Sequence, residues 1–224
     1  MYKNYTSSGN PDDPLFIFAH GAGADSQSDF MSDMAQRIAA QGIYIVRFDF
    51  PYMLKRQQDG KKRPPDKGQM LELDWFNTIA DLDRNAVIGG KSMGGRIASM
   101  VANHSLVTEL TQEDEKETKR QTFALIKGCA CLGYPFHPIG KPEKHRTEHL
   151  RQLQLPTLIV QGTRDTMGTY EDVAGYTLDP QLEILWLEDG NHDLKPRKNS
   201  GFTLEEHLQR TAIAVADFVK RHNA

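Results

Sequence analysis

Six short apolar runs, at 15–19, 43–50, 86–88, 123–132, 158–161 and 182–187, recur along the chain and constrain its fold more than any other feature. Most of them lack strict alternation, so they suit strands covered on both faces rather than half-exposed ones. The stretches between several of them carry helical spacing. Phe30, Met31, Met34, Ile38 and Ala39 fall near one helical face, as do Leu71, Trp75, Ile79 and Leu82 within a predicted helix over 69–84. Residues 94–104 are rich in small side chains, as a helix lying close to a sheet would be, and 204–221 reads as a closing amphipathic helix. Strands alternating with helices imply right-handed crossovers. The expected architecture is a three-layer α/β/α sandwich around a mainly parallel sheet of about six strands, filling one domain over 1–224 with its core at about 14–222. Residues 51–68, basic and containing Pro64 and Pro65, read as a loop. Residues 109–120 read as a solvated helix face or linker of mixed charge.

Composition narrows the function classes. With 27 basic and 30 acidic side chains the formal net charge is -3, which gives no reason to expect a nucleic-acid partner. No apolar run approaches the roughly 20 residues needed to cross a bilayer, so no membrane partner is expected. The polar N-terminus has no apolar signal segment. The two cysteines, Cys129 and Cys131, would share one face of a strand and define neither a disulfide framework nor a zinc site. A reducing cytoplasm is the simplest location for such a chain. Oligomeric state cannot be read from these features.

The strongest chemical signal is AVIGGKSMGGR at residues 86–96. Gly90-Lys91-Ser92-Met93-Gly94 matches G-x-S-x-G between a strand-like and a helix-like segment. In that context the serine occupies a strained turn, lifted above the sheet edge, and the helix that follows aims its positive end at developing negative charge. A plain glycine-rich β–α turn shows the same glycines, so the context carries the assignment. Two nucleotide-binding readings compete. A P-loop would need glycine at residue 85, which is Asn85, and a dinucleotide turn at Gly21-Ala22-Gly23 would need glycine at residue 26, which is Ser26.

Two further strand ends supply an acid and a base. The run at 158–161 leads into Gly162-Thr163-Arg164-Asp165, and that at 182–187 leads into Glu188-Asp189-Gly190-Asn191-His192. A carboxylate at Asp165 could hold the imidazole of His192 in the tautomer that accepts a proton from Ser92. Alone, Asp165 would be a turn residue and His192 a loop histidine. In the order Ser92, Asp165, His192, at successive strand ends, they form a candidate catalytic set. The loop His20-Gly21-Ala22-Gly23-Ala24 follows the first strand, and its Ala22 amide, with the Met93 amide, would form an oxyanion hole. His20 is read as bracing this loop rather than as a base.

Together HGAGA, GKSMGG, GTRD and GNHDL resemble the oxyanion loop, nucleophile elbow, acid turn and histidine loop of the α/β-hydrolase superfamily, in order and over about residues 14–222. FDFPYM, the Arg/Lys-Pro-Pro stretch and GKSMGGR are similar, more narrowly, to a small hydrolase-like family that includes testis-expressed and chromatin-complex members and bacterial proteins. The likeness to dienelactone-hydrolase-type enzymes is more distant. The resemblance implies a serine hydrolase with neither metal nor organic cofactor, and the narrower family implies no substrate. Little room precedes Leu15 for the superfamily's N-terminal hairpin. The connection from Leu132 to Leu158 is too short for a large lid.

The expected reaction is hydrolysis of a small carboxylic ester or thioester, with acyl transfer and peptide cleavage open to the same residues. A non-catalytic interaction module on the same scaffold is the alternative. Basic residues cluster in two loops expected at the active edge: Lys55, Arg56, Lys61, Lys62, Arg63 and Lys67 in one, Lys195, Arg197 and Lys198 in the other. They read either as ordinary solvated loops or as a positive rim that draws in an anionic acyl substrate, with Lys61, Lys62 and Arg63 at its centre.

Overall fold

The computed structural model describes residues 5–103 and 120–223. Its frame is a sheet of seven strands in the order β1-β3-β2-β4-β5-β6-β7. The strands are β1 (Thr6–Ser8), β2 (Leu15–Ala19), β3 (Tyr44–Phe48), β4 (Ala86–Lys91), β5 (Ile126–Leu132), β6 (Thr157–Gly162) and β7 (Glu183–Leu187). The helices are α1 (Asp29–Ala39), α2 (Pro51–Asp59), α3 (Gly68–Leu82), α4 (Met93–Ala102), α5 (Tyr170–Ala174) and α6 (Leu204–His222).

The doubly covered character of the apolar runs is explained by the core. Along β2, Leu15, Ile17 and Ala19 join one buried cluster with Trp75 and Ile79 of α3 and Ile97 and Val101 of α4. Phe16 and Phe18, pointing the other way, join a second cluster with Met34 and Ile38 of α1 and Val215 and Phe218 of α6. Alternate residues of one strand are therefore buried on opposite faces, and the sequence shows a continuous run instead of an alternation. Cys129 and Cys131 share the α3/α4 face of β5, both free and buried, with sulfurs 3.6 Å apart. The α6 helix begins with a reciprocal cap, in which Thr203 Oγ1 accepts from the Glu206 amide and the Glu206 carboxylate accepts from the Thr203 amide.

The sheet has seven strands rather than about six. The additional one, β1, pairs antiparallel with β3 through Thr6, Ser7 and Ser8. Three polar residues carry no apolar pattern, so only the edge of β3 makes this segment a strand. The N-terminal antiparallel hairpin that the resemblance implies is thus represented only by a short edge strand. The second departure is α2. Residues 51–59 fold as a helix, not a loop, starting with Pro51 at its first turn and ending at Gly60, whose φ is 70°. Proline first and left-handed glycine last is a helix signature that the surrounding charges obscured. Residues 60–67 are coil, as expected. Apart from Arg120, the mixed-charge run at 109–120 lies outside the described residues. The 133–156 connection holds only a short turn at Glu148–Leu150 and forms no lid.

Candidate active site

Register brings the three candidate residues to one sheet edge. Ala19 of β2 lies beside Gly90 of β4, Lys91 beside Leu132 of β5, Leu132 beside Val160 of β6, and Gly162 beside Leu187 of β7. Ser92 is the first residue beyond β4, Asp165 the third beyond β6 and His192 the fifth beyond β7. Parallel strands place all these C-terminal ends together.

Ser92 adopts φ 52° and ψ −117°, a conformation that costs an ordinary residue about 1–3 kcal/mol. The glycines around it are required by close backbone approach. A Cβ on Gly90 would lie 2.6 Å from the Ala19 carbonyl oxygen, and one on Gly94 would lie 2.5 Å from that of His20. The elbow is clamped between β2 and α4, and the strain is held by that packing.

A continuous hydrogen-bond chain runs from Ser92. Its Oγ lies 2.8 Å from His192 Nε2, and His192 Nδ1 lies 2.7 Å from Asp165 Oδ2. Asp165 is fully buried, and both of its carboxylate oxygens have further hydrogen-bond donors. Gln161 Nε2 donates to Oδ2 at 2.9 Å, and the Met167 amide donates to Oδ1 at 2.9 Å. Gln161 is itself fixed by the Tyr134 amide, which donates to its Oε1 at 2.7 Å. Lys91 ties the histidine loop back to the elbow. Its Nζ donates to the His192 carbonyl at 2.6 Å and lies 3.4 Å from Asp193. Burial pushes the Lys91 ammonium below its ordinary pKa, with Asp193 and then Asp165 opposing that shift.

The loop after β2 is braced from α2. The Tyr52 hydroxyl reaches the Ala22 carbonyl at 3.1 Å, and Arg56 donates to the Gly23 carbonyl at 3.1 Å. His20 is buried and bonds outside the proton chain. Its Nδ1 donates to the Gly21 carbonyl at 2.6 Å, and its Nε2 accepts from the Phe50 amide at 3.2 Å. Burial lowers its pKa, in keeping with the neutral tautomer that this pattern requires. Ala22 and Met93 line the same cavity as Ser92. The Met93 amide is the first of α4 and has no carbonyl a turn earlier to bind, so it is available to a ligand.

That cavity measures about 370 Å³ and is also lined by Pro65, Asp66, Leu71, Arg96, Arg146 and Met167. None of Lys61, Lys62 and Arg63 is among its lining residues. Lys61 and Lys62 are exposed, and Arg63 is ion-paired with Asp59. The segment reaches the cavity through Pro65 and Asp66 instead. A concavity of about 500 Å³ behind the acid turn, at Arg164, Trp186 and Arg197, does not include Ser92, and its Asp189 is already paired with both arginines. Among the described residues, no group of three His, Cys, Asp or Glu is placed to hold a metal ion, and no helix is long and apolar enough to cross a membrane.

Sequence reasoning missed Gln161, Lys91, Tyr52, Arg96 and Arg146. Lys91 and Arg96 lie inside GKSMGGR, where the motif gives them no role. Gln161 was legible only as the last residue of an apolar run, where a buried amide calls for a partner. Tyr52 lies inside FDFPYM, where the motif gives it no role, and Arg146 carries no local signal.

Solved structures share this arrangement of elements. A monoacylglycerol lipase from Paleococcus ferrophilus superposes with a TM-score of 0.66 at 13% identity, over 99% of this chain and 100% of that one. A dienelactone hydrolase from Anabaena variabilis gives 0.63 at 17%, over 98% and 93%. A serine hydrolase without lid from Xanthomonas campestris gives 0.62 at 17%, over 98% and 88%. At such identities the likeness is one of fold. The family model described as an alpha/beta hydrolase domain matches residues 12–220, nearly the whole chain. The chain belongs to the α/β-hydrolase domain family.

Proposed function

We propose that this protein is a serine hydrolase that cleaves a small carboxylic ester or thioester through an acyl-enzyme on Ser92. One observation carries the reading: His192 lies within hydrogen-bond distance of both Ser92 Oγ and Asp165 in a set otherwise closed by Gln161 and the Met167 amide. With Nδ1–H held by Asp165, Nε2 is the basic nitrogen and faces the hydroxyl. Ser92 Oγ attacks the acyl carbon as His192 takes its proton. The carbonyl oxygen becomes an oxyanion between the Ala22 and Met93 amides, each such donor contributing about 3 kcal/mol to barrier reduction. His192 then protonates the leaving group and, in the second half-reaction, activates water to release the acid. The open cavity of about 370 Å³ and the absence of a lid among the described residues favour a small substrate over an interfacial one.

The finer kinship belongs to this proposal too. FDFPYM, the Arg/Lys-Pro-Pro stretch and GKSMGGR support membership of the narrower testis-expressed and chromatin-complex hydrolase-like family. The two free thiols of β5 favour a cytoplasmic setting. A fluorophosphonate probe tests the mechanism. We expect one adduct, placed on Ser92 by mass spectrometry, absent in Ser92→Ala and sharply reduced in His192→Ala. An adduct on another residue overturns the assignment of Ser92, and none on the folded wild-type protein overturns the reading and leaves a non-catalytic interaction module.

A further inference from the structure

Two arginines line the Ser92 cavity, and neither has a carboxylate partner among the described residues. Arg96 lies on the first turn of α4, four residues after the nucleophile, and Arg146 comes from the coil between β5 and β6. Several other arginines are ion-paired, whereas Arg56, also without a carboxylate partner among the described residues, donates to the Gly23 carbonyl. Arg63 is paired with Asp59, Arg164 and Arg197 with Asp189, and Arg37 with Asp33 and Glu205. The contacts recorded at Arg96 and Arg146 are made by their backbones. The Arg96 carbonyl accepts from Ser99 Oγ, the Arg146 amide donates to the Phe136 carbonyl, and the Arg146 carbonyl accepts from the Tyr134 hydroxyl. The Arg96 Nε is buried and has no hydrogen-bond partner.

The two guanidinium groups also repel each other. Burial lowers the pKa of Arg146, and the charge of Arg96 lowers it further. Burial and then Arg96 likewise lower the neighbouring His149 to about 4, which keeps that imidazole neutral. A folded chain gains nothing by holding two unpaired guanidinium groups together in a partly buried cavity, since each loses hydration. An anion between them would relieve both costs. Guanidinium groups bind carboxylate or phosphate oxygens through paired, planar N–H donors. Asp66 is the one carboxylate among the lining residues, and its Oδ2 accepts from the Tyr52 amide at 3.1 Å.

We propose that Arg96 and Arg146 bind an anionic group of the substrate, so that the enzyme acts on small esters or thioesters carrying their own carboxylate or phosphate. The proposal rests on the serine-hydrolase reading for its chemistry but not for its binding. It relocates the preference for anions from the exposed loop at Lys61, Lys62 and Arg63 to the cavity beside the nucleophile. Location also changes the salt response. Exposed charges are screened over about 8 Å at physiological salt, whereas partly buried pairs are screened much less.

The test uses matched esters. Mono-4-nitrophenyl glutarate is compared with 4-nitrophenyl pentanoate for an anion on the acyl side. The butyrate ester of 4-hydroxybenzoate and that of 4-hydroxyphenyl phosphate are each compared with phenyl butyrate for an anion on the leaving side. We expect kcat/KM at least tenfold higher for the charged member of one pair, surviving at high salt. The charged-to-neutral ratio should fall about tenfold in Arg146→Gln and in Arg96→Gln, mainly through KM, and stay the same in Lys62→Ser. Thermal midpoints of the variants show that they fold. Equal kcat/KM within every pair, or a ratio insensitive to both arginine substitutions, overturns the proposal. A binding arm separates its failure from that of the hydrolase reading. Monophenyl glutarate should raise the thermal midpoint of Ser92→Ala and not that of Ser92→Ala/Arg146→Gln. The same comparison is run with the two leaving-side anionic butyrate esters. A shift with any of the three persists if Ser92 proves unreactive towards fluorophosphonate, and its absence with all three counts against the arginine site whatever Ser92 does.

Discussion

The proposed reacting half of the site and its proposed anion-binding half are built on opposite principles. Around Ser92, His192 and Asp165 the polar groups are engaged by partners inside the protein: Asp165 by His192, Gln161 and the Met167 amide, the His192 carbonyl by Lys91. Arg96 and Arg146, by contrast, have no carboxylate partner among the described residues, although Asp66 lines the same cavity. A satisfied network holds its geometry before substrate arrives, which transition-state stabilisation requires. An unsatisfied pair of charges stores a preference for whatever satisfies it. Substitutions in the first half should therefore act on kcat, and those in the second on KM and on which ester is chosen.

The largest effect is expected from Asp165→Asn. An amide there presents an N–H or a neutral oxygen to His192 Nδ1, loses the charge that stabilises the imidazolium, and favours the wrong tautomer. We expect kcat to fall about 10⁴-fold with the fold retained, measured on a neutral ester. A loss below tenfold would place the acid elsewhere and break the contrast at its root. Next is Gln161→Leu, which removes the donor to Asp165 Oδ2 and leaves the Tyr134 amide without its acceptor. The side-chain amide of Gln161 also donates towards the Tyr134 and Gly168 carbonyls, so several buried hydrogen bonds are lost at about 1–3 kcal/mol each, and the thermal midpoint and kcat should fall together. An unchanged kcat would show that Gln161 braces the fold only.

Lys91→Met is expected to be smaller and more selective. It removes the donor to the His192 carbonyl but also relieves the burial of an ammonium. Stability should change little, while kcat falls about tenfold as the histidine loop loosens. A fall in stability with unchanged kcat would reverse that assignment.

The smallest effect concerns pH and the binding half. His149 is held near a pKa of about 4, first by burial and then by Arg96. The unfolded chain therefore takes up this proton first as pH drops from about 6.5. The contribution of His149 to stability is full above that value and is lost as pH falls through about 4. His149→Gln, which keeps a partner for Ser99 Oγ, should flatten the loss of unfolding free energy between neutral and mildly acid solution. A remaining slope is expected from His20, whose pKa burial also lowers. Urea denaturation of both proteins across this range checks it, and identical slopes would exclude His149 as a source.

What the sequence determined by itself is local in origin. The doubly buried strands, the crossovers and the order of the loops were legible because burial on both faces leaves continuous apolar runs, and because an elbow needs glycines at fixed spacing around Ser92. Asp165 and His192 were legible because successive strand ends in a parallel sheet share one edge. Only the tertiary structure decided the rest. It made Thr6–Ser8 a strand by offering the edge of β3, and showed that Pro51 and Gly60 bound a helix whose Tyr52 and Met53 are buried. The same helix braces the loop carrying Ala22 and leaves Lys61, Lys62 and Arg63 outside the cavity. Meanwhile Arg96 and Arg146, fifty positions apart, meet beside Ser92. A charge's role depends on which charges lie within a few ångströms of it, and chain order does not encode that distance.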